Sequence, residues 1–171
     1  EFQLEPVTFE AIRRRVAELE VVSAERIAAE MRQMLTNVHR VRAVQLLLES
    51  GLAGVVLPEI VPGDPMAHER LARSLAVLDR LANPGLPLAL AALLVDRVLP
   101  EQGQEICRRW RLSNKETETL GWLLGHHEAL RGARQRPWSQ VQPVLVAPAA
   151  SELLAWNRAE AAAGQAELDD V

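Results

Sequence analysis

Apolar residues recur at helical spacing along most of the chain, and they never alternate with polar ones over the length of a strand. Pro6 suits the first turn of a helix, where its missing N–H costs nothing, and Ile12, Val16 and Leu19 follow as an apolar stripe. Ser23 is a good N-cap for a second helix, with Glu25 in the positive first turn and Ile27, Met31, Met34 and Leu35 on its buried face. A third helix is predicted over about residues 38–50, with Val41, Val44, Leu47 and Leu48 inward, Arg40 and Arg42 outward, and Gly51 as the C′ residue. The apolar run 52–60 is broken by Pro58 and then by Pro62-Gly63-Asp64-Pro65, the strongest boundary signal in the chain.

Beyond that boundary the spacing predicts a long helix over about 65–82, with Leu71, Leu75, Leu78 and Leu81 on one face, ended by Asn83-Pro84-Gly85. Residues 88–94 are apolar all round, which marks a buried helix. Residues 100–103 read as a turn, and 105–111 as a short helix carrying Arg108, Arg109 and Arg111. Ser113 and Glu116 have the spacing of a capping box at the start of a helix that runs to about Leu130, with Leu120, Leu124 and His127 on one face. A basic loop with Arg131, Arg134 and Arg136 follows. After Pro148 one tail helix packs back through Leu153, Leu154 and Trp156 and frays over 161–171. This organisation divides the chain into residues 1–62, 63–148 and 149–171.

Composition reinforces an all-α reading. Half of the 171 residues are hydrophobic and a quarter charged, with 4% aromatic residues and no Tyr, so the chain is rich in strong helix formers. The formal net charge of -4 is unlike that of a dedicated nucleic-acid binder, and any RNA contact has to come from local arginine clusters. The single cysteine, Cys107, excludes an internal disulfide and fits a reducing compartment. The longest apolar run, 86–95, is about half of the ~20 residues that a membrane span needs. No basic segment followed by an apolar stretch opens the sequence, so a cytoplasmic protein without a membrane partner is expected.

Candidate chemistry is sparse. Nucleophile motifs, phosphate-binding glycine loops and zinc-type Cys/His spacings are all missing from the sequence. His126 and His127 are adjacent, so on a helix they point about 100° apart and do not readily share one metal ion. Arg13, Arg14 and Arg15 fan round their helix, either as a solvated face or as contacts to an RNA backbone. Arg40 and Arg42, Arg108 and Arg109, and Arg131 and Arg134 are the other candidates for phosphate contact. Arg26 and Glu30 stand one turn apart in the weaker orientation for an ion pair, a placement better suited to positioning something than to stabilising the helix.

Three pieces of the first third carry a resemblance. Phe2-Gln3-Leu4-Glu5-Pro6-Val7-Thr8 through Ala11-Ile12, then Val22 through Met31, then Leu48-Glu49-Ser50-Gly51-Leu52 to Leu57-Pro58-Glu59, resemble in order and spacing the neck of class II tRNA nucleotidyltransferases. These are the bacterial CCA-adding enzymes and poly(A) polymerases. The neck motif Ser-x-Glu-Arg-Ile-x-x-Glu falls on Ser23, Glu25, Arg26, Ile27 and Glu30. In the second half, 73–79, 88–96, 112–116 and His126-His127 are similar to the HD-like helical region that follows the neck. Arg73 stands where that pattern has its first His, and Val95 where the His of the His-Asp pair belongs, which leaves Asp96 alone.

The resemblance implies a multi-helix neck followed by a degenerate HD-like body. It implies an RNA partner, tRNA or another RNA 3′ end, and a nucleotidyltransferase head upstream that carries the catalytic carboxylates and their magnesium. By this reading the chain has no catalytic residue, metal ligand or cofactor of its own. Two alternatives stay open. One is an HD-type phosphohydrolase using His68, Asp96, His126 and His127; the other is a helical protein-interaction module.

Overall fold

The centre of the molecule is a nine-residue helix with no polar face. In the computed structural model, which describes residues 5–164, helix α6 (Leu86–Leu94) buries Leu86, Leu88, Leu90, Leu93 and Leu94 together with the three alanines between them. Each fully buried leucine contributes roughly 1.5–3 kcal/mol of hydrophobic stabilisation, so this helix is the main apolar anchor of the fold.

The other helices gather round it. They are α1 (Pro6–Arg14), α2 (Ala24–Thr36), α3 (Arg40–Glu49), α4 (Ala53–Val56), α5 (Pro65–Arg80), α7 (Pro100–Arg109), α8 (Asn114–His126), α9 (Trp138–Leu145) and α10 (Ala150–Ala162). Single 3-10 turns lie at Val16–Val21, Pro58–Ile60 and Ala133–Gln135, and no strand occurs among the described residues. Helix α6 packs against α2, α5, α8 and α10, and one continuous core runs from Ala28 on α2 to Ala159 on α10. No helix among the described residues is long and apolar enough to cross a membrane.

Local signals set most of the boundaries. The Ser23 side chain accepts from the Arg26 N–H at the start of α2, and Asp64 does the same for Ala67 ahead of Pro65 in α5. Ser113 and Glu116 form the reciprocal capping box that opens α8. Gly51 takes a φ of 80°, the left-handed value that ends α3.

Several expectations are corrected. The first stripe is not one helix: α1 stops at Arg14, and Val16 and Leu19 lie in the 3-10 turn that follows. Helix α8 stops at His126, short of Leu130. Residues 100–103 are not a turn but the first turn of α7, with Pro100 at its start and the Gln102 side chain accepting from the Leu99 N–H. Gly103 serves helix packing instead, because a Cβ there would lie 2.4 Å from Leu124 Cδ1 on α8. Helix α9 was not anticipated, since Pro143 lies inside it and reads as a breaker.

Arg40 does not point outward. It is buried, and its Nε donates to the Leu78 carbonyl at 2.9 Å, its Nη1 to the Asn37 carbonyl at 2.7 Å and its Nη2 to the Leu81 carbonyl. Leu78 and Leu81 lie at the C-terminal end of α5, where the last carbonyls of a helix have no partner of their own and the dipole is negative. Arg40 therefore caps α5 from α3. Burial lowers its pKa, and Asp79 opposes that shift.

Candidate functional sites

The motif-bearing helix α2 presents Glu25, Arg26 and Glu30 to solvent. Arg26 and Glu30 do not pair with each other; among the described residues the ion pairs of this helix run to other elements. Glu25 meets Arg111 at 2.5 Å. Its carboxyl is held below the usual range, first by a hydrogen bond at its own backbone N–H and then by Arg111. Arg32 meets Glu116 at 2.7 Å. Burial on its own would raise the Glu116 carboxyl, but hydrogen bonds from Arg32 and Ser113 outweigh it and leave the carboxyl below its usual range.

Arg26 and Glu30 instead stand on the margin of an open apolar groove of about 510 Å³. Ile27 and Met31 of α2, Leu47 of α3 and Val56 of α4 form its floor. Two further apolar hollows, of about 270 and 510 Å³, adjoin it through Leu52 and bring in Ile12 of α1. The N-terminal helices thus carry a solvent-open apolar face with one cation and one anion of α2 beside it. The groove escaped the sequence reading because Met34, Leu47 and Leu52 look like ordinary core positions.

The candidate phosphate contacts are scattered and mostly engaged. Arg13 pairs with Glu10, Arg42 with Glu49 and Arg108 with Glu105, each exposed at both ends. Such pairs are worth about 0–1 kcal/mol and yield readily to a phosphate. Arg109 forms a two-pronged contact with Glu59 at 3.0 and 3.1 Å. Arg131 meets Glu128 at 2.6 Å and lies 3.7 Å from the buried Glu160. Arg14 and Arg134 are exposed. Arg40, as above, is withdrawn from the surface.

A second concavity lies between α5, the end of α6, the end of α8 and α10. It has a volume of about 340 Å³. Arg73, Val95, Asp96 and His127 all line it, so the structure gathers positions that are far apart in sequence. His68 and His126 do not line it. The Nδ1 of His68 lies 2.9 Å from the Asp64 carbonyl, and the His126 ring stacks on Trp122 at 4.4 Å. The four groups of the phosphohydrolase alternative therefore do not converge. No group of three or more His, Cys, Asp or Glu able to hold a metal ion occurs among the described residues.

Taken together, these features define an all-helical protein with an open apolar groove on its N-terminal helices and a separate polar cavity, lined by arginines, between its later helices. Residues 1–63 match the family model described as the probable RNA and SrmB-binding site of polymerase A. This first part of the chain is thus similar to an RNA-binding region of polymerase A, and it contains both the Ser23–Glu30 motif and the apolar groove. Phe2, Gln3 and Leu4, which open the resemblance, lie outside the described residues. No curated protein matches the chain significantly.

Proposed function

We propose that the chain is the RNA-holding, non-catalytic part of a poly(A) polymerase or CCA-adding nucleotidyltransferase, and that it positions an RNA 3′ end for a head domain. The observation that carries this reading is the open apolar groove within the matched residues, with Arg26 and Glu30 of the neck motif at its margin. A groove of this kind suits packing against a folded partner domain, while the rim charges fix its orientation. The head supplies the catalytic carboxylates and their magnesium. Residues 63–148 serve as a degenerate HD-like body, a reading supported by the shared cavity of Arg73, Val95, Asp96 and His127. A cytoplasmic location goes with this role.

RNA contact in this reading is made by shape and by exposed arginines, chiefly Arg14 and Arg134, with Arg13, Arg42 and Arg108 released from surface carboxylates. The experiment is fluorescence anisotropy of a 3′-labelled tRNA titrated with the chain at several salt concentrations. Binding that weakens steeply with salt is expected, with a shallower salt slope for the double variant Arg14→Gln, Arg134→Gln. Absence of binding at low salt overturns the proposal and favours a protein-interaction module.

A further inference from the structure

We infer that Trp138, at the start of α9, is a stacking platform for an unpaired base of single-stranded RNA, with Arg134 holding a neighbouring phosphate. The inference rests on the RNA-holding reading above and adds to it the kind of strand that is held and the side chain that grips it.

Its first support is the state of the indole. The chain has four tryptophans. Trp110 and Trp156 are buried in the core, and Trp122 stacks on His126 at 4.4 Å. Trp138 is 67% exposed and stacks on no ring among the described residues. An indole left in water forgoes the stabilisation that burial would give, and a base laid on its face is worth about 1–3 kcal/mol.

The second support is charge and composition. The longest stretch of the sequence without a carboxylate, 129–151, holds Trp138 together with Arg131, Arg134 and Arg136, in a chain whose net charge is -4. Arg131 pairs with Glu128, and Arg136 donates to the Ala129 carbonyl. The Arg134 side chain is exposed and enters no ion pair or hydrogen bond among the described residues. It lies four positions before Trp138, at most about 14 Å along the chain, a span that a short run of nucleotides covers. Ser139, Gln140 and Gln142, exposed and uncharged, follow the indole. A ring set among uncharged hydrogen-bonding groups and an unpaired cation is the make-up of a single-strand surface. A protein-docking patch would surround the ring with further apolar area.

The third support is that the platform is held in place. Gly132 takes a φ of 63° ahead of the Ala133–Gln135 turn, the Arg136 contact ties the loop back to Ala129, and the buried Val141 anchors α9. A ring so held loses little conformational freedom when a base lands on it.

The test is fluorescence anisotropy of a labelled oligoadenylate of about 12 nucleotides, and of a blunt RNA duplex, titrated with the unmodified chain and with variants. Trp138→Ala is expected to weaken oligoadenylate binding about tenfold without altering its salt slope, and Trp138→Phe to restore most of the loss. Arg134→Gln is expected to make the slope shallower by about 0.7, the value of one single-strand phosphate. Duplex binding is expected to change less than about twofold in Trp138→Ala, because paired bases keep their faces inside the helix. On the unmodified chain, the indole N–H signal of Trp138 is expected to shift in NMR spectra as oligoadenylate is added, while those of Trp110 and Trp156 stay in place. Oligoadenylate affinity unchanged in Trp138→Ala, an equal loss on the duplex, or a Trp138 signal that does not move at saturation overturns the inference. Where the unmodified chain still binds RNA with a steep salt dependence, any of these leaves the RNA-holding role standing; absence of all RNA binding by the unmodified chain sinks both.

Discussion

Replacing Arg40 by alanine should unfold the protein far more easily while leaving RNA affinity of the folded chain intact. The guanidinium serves three carbonyls. Asn37 keeps a second partner, the Arg40 backbone N–H at 3.2 Å, so its carbonyl is not orphaned. The carbonyls of Leu78 and Leu81 lose the guanidinium in a buried environment, at roughly 1–3 kcal/mol each. Removing a cation from the negative end of α5 adds about 0.3–1 kcal/mol. Relief of the buried charge, and water entering the space left behind, offset part of this. The expected net loss is about 3 kcal/mol, or roughly 6–12 °C in Tm for a chain of this size. Arg40→Lys keeps the charge but loses the fork, so about half of that loss is expected. Urea denaturation followed by circular dichroism measures both, and tRNA anisotropy below the transition measures binding. A loss under about 1 kcal/mol for Arg40→Ala refutes the capping argument. An unchanged Tm with weakened RNA binding would return Arg40 to the surface.

Three further outcomes are expected. Glu160→Gln should stabilise the protein at neutral pH, because burial raises the Glu160 carboxyl above its ordinary 4.5 despite Arg131 and His127. The folded state holds that proton more tightly than the unfolded state. The cost of ionisation is therefore nil below the ordinary range and grows as pH rises toward the folded value, so the gain should vanish near pH 4 in paired melts. Cys107 is fully buried and its thiol is pushed up to about 11, chiefly by burial, so alkylation at neutral pH should proceed only in denaturant; mass spectrometry of rapid labelling without denaturant would expose an error here. Arg26→Ala should change the melting temperature of this chain by less than about 1 °C, since its charge is exposed and pairs with nothing on α2, yet impair nucleotide transfer once a head domain is present. A large loss of stability would make Arg26 a structural residue.

What could be read from the sequence was what is local. The Ser113–Glu116 box, the Asp64-Pro65 and Ser23 helix starts and the Gly51 stop each involve groups within a turn of one another, and all appear as expected. The unbroken apolar run of α6 could mean little but the core. The errors fall where a distant partner decides. An Arg26–Glu30 pair was the local option, yet α2 uses Glu25 and Arg32 to reach Arg111 and Glu116 instead. Arg40 carries no local sign of burial, because its acceptors lie about forty residues on, in the last turn of α5. Gly103 looked like a turn residue because close helix approach and turn formation call for the same missing Cβ. The cavity lined by Arg70, Arg73 and His127 could not be seen before the helices were placed.

The same distant contacts bear on how the chain could position anything. Arg111–Glu25, Arg32–Glu116 and Arg109–Glu59 all cross from the matched N-terminal residues to the later helices. Arg111–Glu25 is exposed at both ends, and the other two join an exposed arginine to a half-buried carboxylate, so they set register more than they hold the two parts together. The holding comes from buried groups: Arg40 on the end of α5, the Trp110 indole donating to the Val56 carbonyl at 3.3 Å, and the packing of α2 on α6. An apolar groove that takes a partner is useful for positioning only if its floor does not shift when the partner binds. Met31, Leu47 and Val56 in that floor are core members tied to the same cluster as α6. Arg26 and Glu30 are exposed at the groove margin, while α2 is held by its other charges and by its buried face. On the proposed reading the two residues act at the edge of a floor anchored in the core, not as a brace within the helix.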